Sequence, residues 1–110
     1  MTESEFLQLS ESTLRGIEDV LERALLSVDT DVECNLVGNI LEIEFLDKGS
    51  KIIVNSQSPM QEIWVAAPSG AHHFKFQNGL WIDTRSAQEL YVALSSIVSA
   101  ETGCYLVLSP

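Results

Sequence analysis

The chain has little of what usually announces chemistry. Among 110 residues there are two cysteines, three prolines, two histidines and six lysines plus arginines. Cys34 and Cys104 lie far apart and require no disulfide framework; each reads as a small apolar filler. With no hydrophobic leader in the sequence, a reducing cytoplasm is the expected compartment rather than secretion. No apolar run approaches the roughly 20 residues of a membrane span, so no membrane partner is expected. A Gly-rich phosphate loop, His-x-x-x-His and Cys-x-x-Cys are all missing, which removes the usual signals of nucleotide, zinc and thiol-redox chemistry. Bases are scarce too. Sixteen acids against six bases give a formal net charge of −10, and such a surface repels phosphate backbones, so no nucleic-acid partner is expected.

What is present is concentrated. Residues 1–47 hold twelve acids and only Arg15 and Arg23 as bases, whereas acids and bases balance in residues 48–110. An acidic half of this kind attracts cations or basic proteins; it also serves as a solvated face that keeps a protein soluble. The length suffices to bury one core, so residues 1–110 are expected to form a single domain.

Leu14, Ile17, Leu21, Ala24 or Leu25, and Val28 recur at helical spacing behind a Thr2–Glu5 capping box, which predicts an amphipathic helix over about 3–26. Glu11, Arg15, Glu18 and Glu22 stripe its other face, and Asp19 has Arg23 one turn on as an ion-pair partner. The period then changes. From Asp29 to Val37, Val32, Cys34 and Leu36 alternate with Asp31, Glu33 and Asn35; Gly38-Asn39 suits a two-residue hairpin; and Ile40–Leu46 alternates again with Leu41, Ile43 and Phe45 inward. Counting back from the turn sets Val37 against Ile40, Asn35 against Glu42 and Glu33 against Glu44. Two carboxylates facing each other destabilise a strand pair unless a cation or basic partner relieves them.

Further strands are predicted at Lys51–Asn55, Glu62–Ala67, Ala71–Phe76 and Leu80–Ile82, the last two joined by Asn78-Gly79. Ser86-Ala87-Gln88-Glu89 reads as a second capping box, opening a helix that buries Leu90, Leu94, Ile97 and Val98 and ends at Gly103. The apolar tail Tyr105–Leu108 is expected to pack on the helices. The order α-β-β-β-β-β-β-α predicts an α+β two-layer sandwich: one antiparallel sheet with both helices on one face and the other face open.

The stretch from Asn55 to Ala66 organises the rest. Ile52, Val54, Ile63 and Val65 share the inward parity, so Trp64 points outward with Asn55, Gln57 and Glu62. A Trp on the polar parity beside two amides suits a partner surface, and equally a ring half-covered by its neighbours. His72 and His73, adjacent on one strand, point to opposite faces, His72 inward; His73 joins Trp64 if their strands adjoin.

Asn55, Gln57, Pro59, Trp64 and Ala66, with Trp81 and the Arg85-Ser86 pair, resemble the frataxin family in their joint spacing. The short acidic chain is similar to the family's bacterial members over nearly its whole length. It departs from the pattern at Glu62, where Gln is usual, and at Ser56, where a basic residue is common. The resemblance implies the same frataxin-like sandwich. Exposed carboxylates suit hard or borderline cations held weakly and exchangeably, calcium, magnesium or manganese as readily as iron. The resemblance implies iron, ferrous and ferric, on a ridge of Glu18, Asp19, Glu22, Asp29, Asp31 and Glu33, which the hairpin register extends to Glu44. It implies a role in iron-sulfur cluster assembly, with docking on a cysteine desulfurase and a scaffold protein, and partner residues Asn55, Gln57, Glu62, Trp64 and His73. A monomer is expected, with iron-driven oligomers left open.

Two other functions stay in view. A ferroxidase would need ligands fixed around the iron, and the sequence offers surface acids without a His-carboxylate constellation. A metal-independent acidic adaptor would use the charge alone.

Overall fold

Apolar side chains at steps of three and four carry the chain into helix α1 (Glu3–Leu25), in a computed structural model that describes residues 1–110. Its start is fixed reciprocally: the Glu5 N–H donates to Thr2 Oγ1 at 3.1 Å and the Thr2 N–H donates to Glu5 Oε1 at 2.8 Å. Those bonds satisfy donors that the helix cannot satisfy itself. Phe6, Leu14, Ile17, Val20 and Leu21 bury its inner side.

The alternating segments become β1 (Val32–Val37), β2 (Ile40–Phe45), β3 (Ser50–Gln57), β4 (Glu62–Ala67), β5 (Gly70–Gln77) and β6 (Leu80–Asp83). They form one sheet in sequential order, every neighbouring pair antiparallel. Turns of two or four residues leave no alternative, because so short a connection returns the chain only to its immediate neighbour. Gly38 takes φ 60° in the first hairpin, and Asn78 and Gly79 take φ 51° and 82° in the last, the left-handed geometry those turns demand. β1 begins at Val32, later than the alternation from Asp29 predicts, and β3 runs on to Gln57.

Leu41, Ile43, Phe45, Ile52, Val54, Ile63, Val65 and Phe74 line the inner face, buried against α1 and α2 (Leu90–Thr102). Trp81 ties the far strand to the first helix: it meets Phe6 edge-to-face, centroids 6.2 Å apart, and its Nε1 donates to Thr13 Oγ1 at 3.1 Å. The outer face has no covering layer. No helix is long and apolar enough to cross a membrane.

Helix α2 corrects the sequence reading. It starts at Leu90 with Glu89 as N-cap, its carboxylate accepting from the N–H groups of Tyr91 and Val92 at 2.9 and 3.2 Å. Ser86 Oγ accepts from the Gln88 N–H at 3.2 Å but does not cap the helix, because Asp83 claims the preceding turn. Asp83 Oδ1 accepts from the Arg85 and Ser86 N–H groups at 2.8 and 3.3 Å, the Asp83 N–H donates to the Gln88 carbonyl, and Ala87 is forced to φ 62°. That left-handed residue interrupts helical winding before it can begin. At the other end Gly103 closes α2 as expected.

The tail follows α2 in extended form. Ser99 Oγ and Ser95 Oγ, one turn apart, accept the N–H groups of Leu106 and Leu108 at 2.9 and 2.8 Å. Leu106 and Leu108 face the core, whereas Tyr105 and Val107 are exposed. The expected packing therefore holds for alternate residues only.

Asp83 is buried, and its second oxygen lies 3.0 Å from His72 Nδ1. Burial pushes its carboxyl upward, but the Arg85 N–H, His72 and the Ser86 N–H together outweigh it and hold the group below the ordinary 3.8. Replacing Asp83 by Ala strands these donors, and urea unfolding should show a loss of about 2 kcal/mol at neutral pH. A depressed carboxyl contributes stability above its unfolded value and loses it as pH falls through the folded one. The gap between wild type and Asp83→Ala should therefore narrow as pH drops from 3.8 downward. A gap undiminished at the acid end would show that charge plays no part.

Candidate functional site: an open sheet face and an acidic ridge

Register brings the outward residues of four strands into one row. Ile40 pairs with Asn55, Asn55 with Trp64, and Trp64 with His73. The Trp64 and His73 rings stack, centroids 4.3 Å apart and planes 8° from parallel. Beside them Gln57 Nε2 donates to Asn55 Oδ1 at 2.7 Å. At the hairpin end Val37 and Ile40, 76% and 46% exposed, extend the row with apolar surface. The two histidines point to opposite faces, as parity predicts, and share no site.

Glu62 differs from the expectation. It lies on this face but is only 4% exposed, so it supports the row instead of meeting a partner. Its Oε1 accepts from Trp64 Nε1 at 2.8 Å and lies 3.7 Å from His73 Nδ1; its Oε2 lies 3.8 Å from Lys75 Nζ. The indole N–H makes the one hydrogen bond to this carboxylate, with the imidazole and ammonium nitrogens farther off, and that bond fixes the indole along the strand. The β4–β5 register that sets Glu62 against Lys75 follows from the turn at Pro68-Ser69; counting back from it would have found this support.

The ridge acids divide into groups. Glu33 stands directly opposite Glu44, as the hairpin count predicts, on the open face. Lys51 faces Glu44 on the next strand and reaches Glu42 at 3.1 Å. Its ammonium is held above the usual lysine value, first by the Glu42 hydrogen bond and then by the Glu42 and Glu44 charges. A resident cation thus eases the like-charge pair. Glu18, Asp19 and Glu22 lie on α1, and Asp29 and Asp31 on the α1–β1 connection. Arg23 does not pair with the Asp19 carboxylate: its Nε donates to the Asp19 backbone carbonyl at 3.3 Å, and the helix's ion pair is Arg15–Glu11 at 2.9 Å. No three His, Cys, Asp or Glu side chains gather closely enough to hold one ion.

Cys34 registers the field of the helix acids. Burial, then Glu22 and Glu18, push its thiol up to about 11. Such a thiol stays protonated at neutral pH and is neither a nucleophile nor a ready metal ligand. Sequence reading treats Cys34 as a filler and gives no sign of this coupling, because it arises across the α1–β1 interface.

Residues 1–104 match the family described as Frataxin-like domain. The iron-sulfur cluster assembly protein CyaY of Herminiimonas arsenicoxydans is 58% identical over 108 residues, 98% of this chain and 96% of that protein. That of Ralstonia nicotianae is 57% identical over 102 residues, 93% and 89% of the two. Among solved structures, frataxin from Psychromonas ingrahamii superposes with TM-score 0.87 at 31% identity, over 100% of both chains. Trimeric frataxin from Saccharomyces cerevisiae, complexed with ferrous ion, superposes with TM-score 0.75 at 25% identity, over 86% of this chain and 85% of that one.

Two outcomes follow from the geometry. Iodoacetamide at neutral pH should alkylate exposed Cys104 about tenfold or more faster than Cys34, and Glu18→Gln with Glu22→Gln should speed Cys34 alone. A Cys34 rate untouched by that double change would place the acids out of its field. On the open face, Glu62→Gln keeps an acceptor for the indole and should leave the Trp64 Nε1–H resonance near its place. Glu62→Ala should shift it and cost about 1 kcal/mol through the lost indole bond; equal spectra for the two variants would remove Glu62 as the support of Trp64.

Proposed function

The chain belongs to the frataxin family, and from that premise we propose that it binds ferrous and ferric iron on its acidic ridge and docks on the cysteine desulfurase and scaffold of iron-sulfur cluster assembly. It does so as a cytoplasmic carrier or regulator and not as an enzyme. The observation that carries this reading is the placement of Trp64: an aromatic anchor on the uncovered sheet face, stacked on His73 and pinned by Glu62. Rigid aromatic residues in such settings dominate binding energy at protein interfaces. Relatives named iron-sulfur cluster assembly proteins and a yeast relative complexed with ferrous ion support the pathway and the cargo.

The ridge suits a passing cargo. Acids spread over a helix, a connection and a hairpin leave an ion most of its water, and such ions exchange readily. The same charge draws a basic protein surface by long-range attraction, which acts on the rate of encounter more than on the final contact. A dedicated oxidase holds its metal in a fixed shell; here the proposal assigns binding and hand-over, so sustained, saturable oxygen consumption with ferrous iron would overturn it.

Two variants separate the surfaces. Trp64→Ala should weaken scaffold binding by about 2 kcal/mol while leaving fold and iron-induced shifts intact. Replacing Glu18, Glu22, Asp29 and Asp31 by amides should reduce anaerobic ferrous shifts at the ridge and slow association with the desulfurase, an effect that shrinks as salt is raised. NMR titration with ferrous iron, then with each protein partner, reads both. Iron shifts confined to His72 and His73, or a Trp64→Ala variant that binds the scaffold normally, would refute the assignment.

A further inference from the structure

The two edges of the sheet are finished differently. At β6 the chain closes its own edge: Ile82 bridges to Glu89, and the Asp83 N–H donates to the Gln88 carbonyl at 2.8 Å. β1 receives no such cover. Its two-residue hairpin makes Val37 and Ile40 the closing hydrogen-bonded pair. Alternation passes that role to Asn35, Glu33 and Asp31, whose carbonyl accepts from the Leu46 N–H at 2.9 Å. Val32, Cys34 and Leu36 therefore turn their N–H and C=O groups away from β2. No further strand and no loop backbone meets those groups.

The side chains of the same three residues are unfinished too. Leu41 and Ile43 of β2 and Ile52 of β3 point inward and are 0% exposed. Val32, Cys34 and Leu36 share that inward parity but are only half-buried, because α1 covers the strands beside them and leaves the last row short. Leu26, at the end of α1, is 87% exposed and lines a cavity with Val32 and Cys34. One more strand would cover this row.

Charge selects the occupant. Proteins blunt a free edge with lysine, proline or a bulge, and β1 has none of these: its sequence is Val-Glu-Cys-Asn-Leu-Val and its register with β2 runs unbroken. Its defence is acid. Glu33 points outward beside Glu44, with Asp29 and Asp31 just before it in the chain. A second copy of this chain would bring the same acids to an edge already negative and is repelled. A basic strand is attracted, its charged residues on the outward side with Glu33 and its apolar residues over the half-buried row.

We propose that the free edge of β1 accepts, as one more antiparallel strand, an extended segment of a partner protein in which Lys or Arg alternates with branched apolar residues. Main-chain bonds to Val32, Cys34 and Leu36 supply the affinity, and Glu33 with the half-buried row reads the sequence. The surface is the edge of the sheet and not its open face, so the proposal rests neither on iron nor on Trp64.

The probe is the capped peptide Ac-Lys-Val-Lys-Val-Lys-Val-Lys-NH2, titrated into the whole chain at low salt and followed by NMR. It should slow hydrogen exchange of the Val32, Cys34 and Leu36 amides about tenfold or more, while the Glu33, Asn35 and Val37 amides, already bonded to β2, change little. The same peptide N-methylated at its three valines keeps its charge and side chains but loses the N–H groups aimed at β1, and should bind about tenfold or more weakly. Cys34→Pro removes a free N–H at the middle of the edge and spares the ladder to β2, so it should weaken binding several-fold. The methylated peptide carries the test if that variant fails to fold. Equal affinity of the two peptides, or shifts spread along the acids of α1 without alternate protection in β1, would reduce the binding to a diffuse cation atmosphere and overturn the proposal. Neither iron nor a scaffold protein is present in this titration, so its failure and the failure of the iron reading are separate results.

Discussion

A sheet covered on one side only makes strand register the constraint on which every surface depends. In β4, Ile63 and Val65 are buried and Trp64 is not. A slip by one residue would expose both aliphatics, each worth about 1.5–3 kcal/mol in burial, and press Glu62 and Trp64 into the core. That loss rivals the roughly 5–15 kcal/mol that holds a whole domain together. The hydrophobic inner face therefore fixes the polar outer one. The Asn55–Trp64–His73 row is as precise as the core beneath it, although none of its members belongs to that core.

The same carboxylate chemistry is used in three settings, and burial distinguishes them. Asp83 is buried among donors on the helix side and organises the β6–α2 turn. Glu62 is equally buried on the opposite face and aligns an aromatic ring. The ridge acids keep their water. Removing a buried carboxylate strands its partners, so those two positions govern shape; removing a solvated one changes only the field, so the ridge is free to vary in number and spacing without loss of fold.

Local patterns were legible in the sequence to the extent that their cause is local. The Thr2–Glu5 cap, the two hairpin turns and the Glu33–Glu44 opposition each depend on residues within one turn or one hairpin, and the structure has all of them. The two-layer sandwich followed from their order, and its frataxin-like form from the family resemblance. The second capping box was misread because Asp83 and Ala87 reshape the turn before Ser86 can act. The burial of Glu62 escaped because it needs β5 alongside β4. Arg23 chose a carbonyl over Asp19's carboxylate, a choice that helical spacing alone does not decide.

The division of the ridge bears on how its acids share their work. At Glu33 and Glu44 the repulsion between strands is already eased by Lys51, which an arriving cation would have to displace or tolerate. No lysine or arginine is ion-paired to Glu18, Asp19, Glu22, Asp29 or Asp31, and the field of Glu22 and Glu18 adds to burial, the larger cause, in pushing the Cys34 thiol up to about 11. Uncompensated charge attracts cations; compensated charge chiefly orders its own surroundings. The pull of the acidic half is thus greatest along α1 and its connection to β1, and the hairpin acids join it from the far side of an edge strand that keeps the two groups apart.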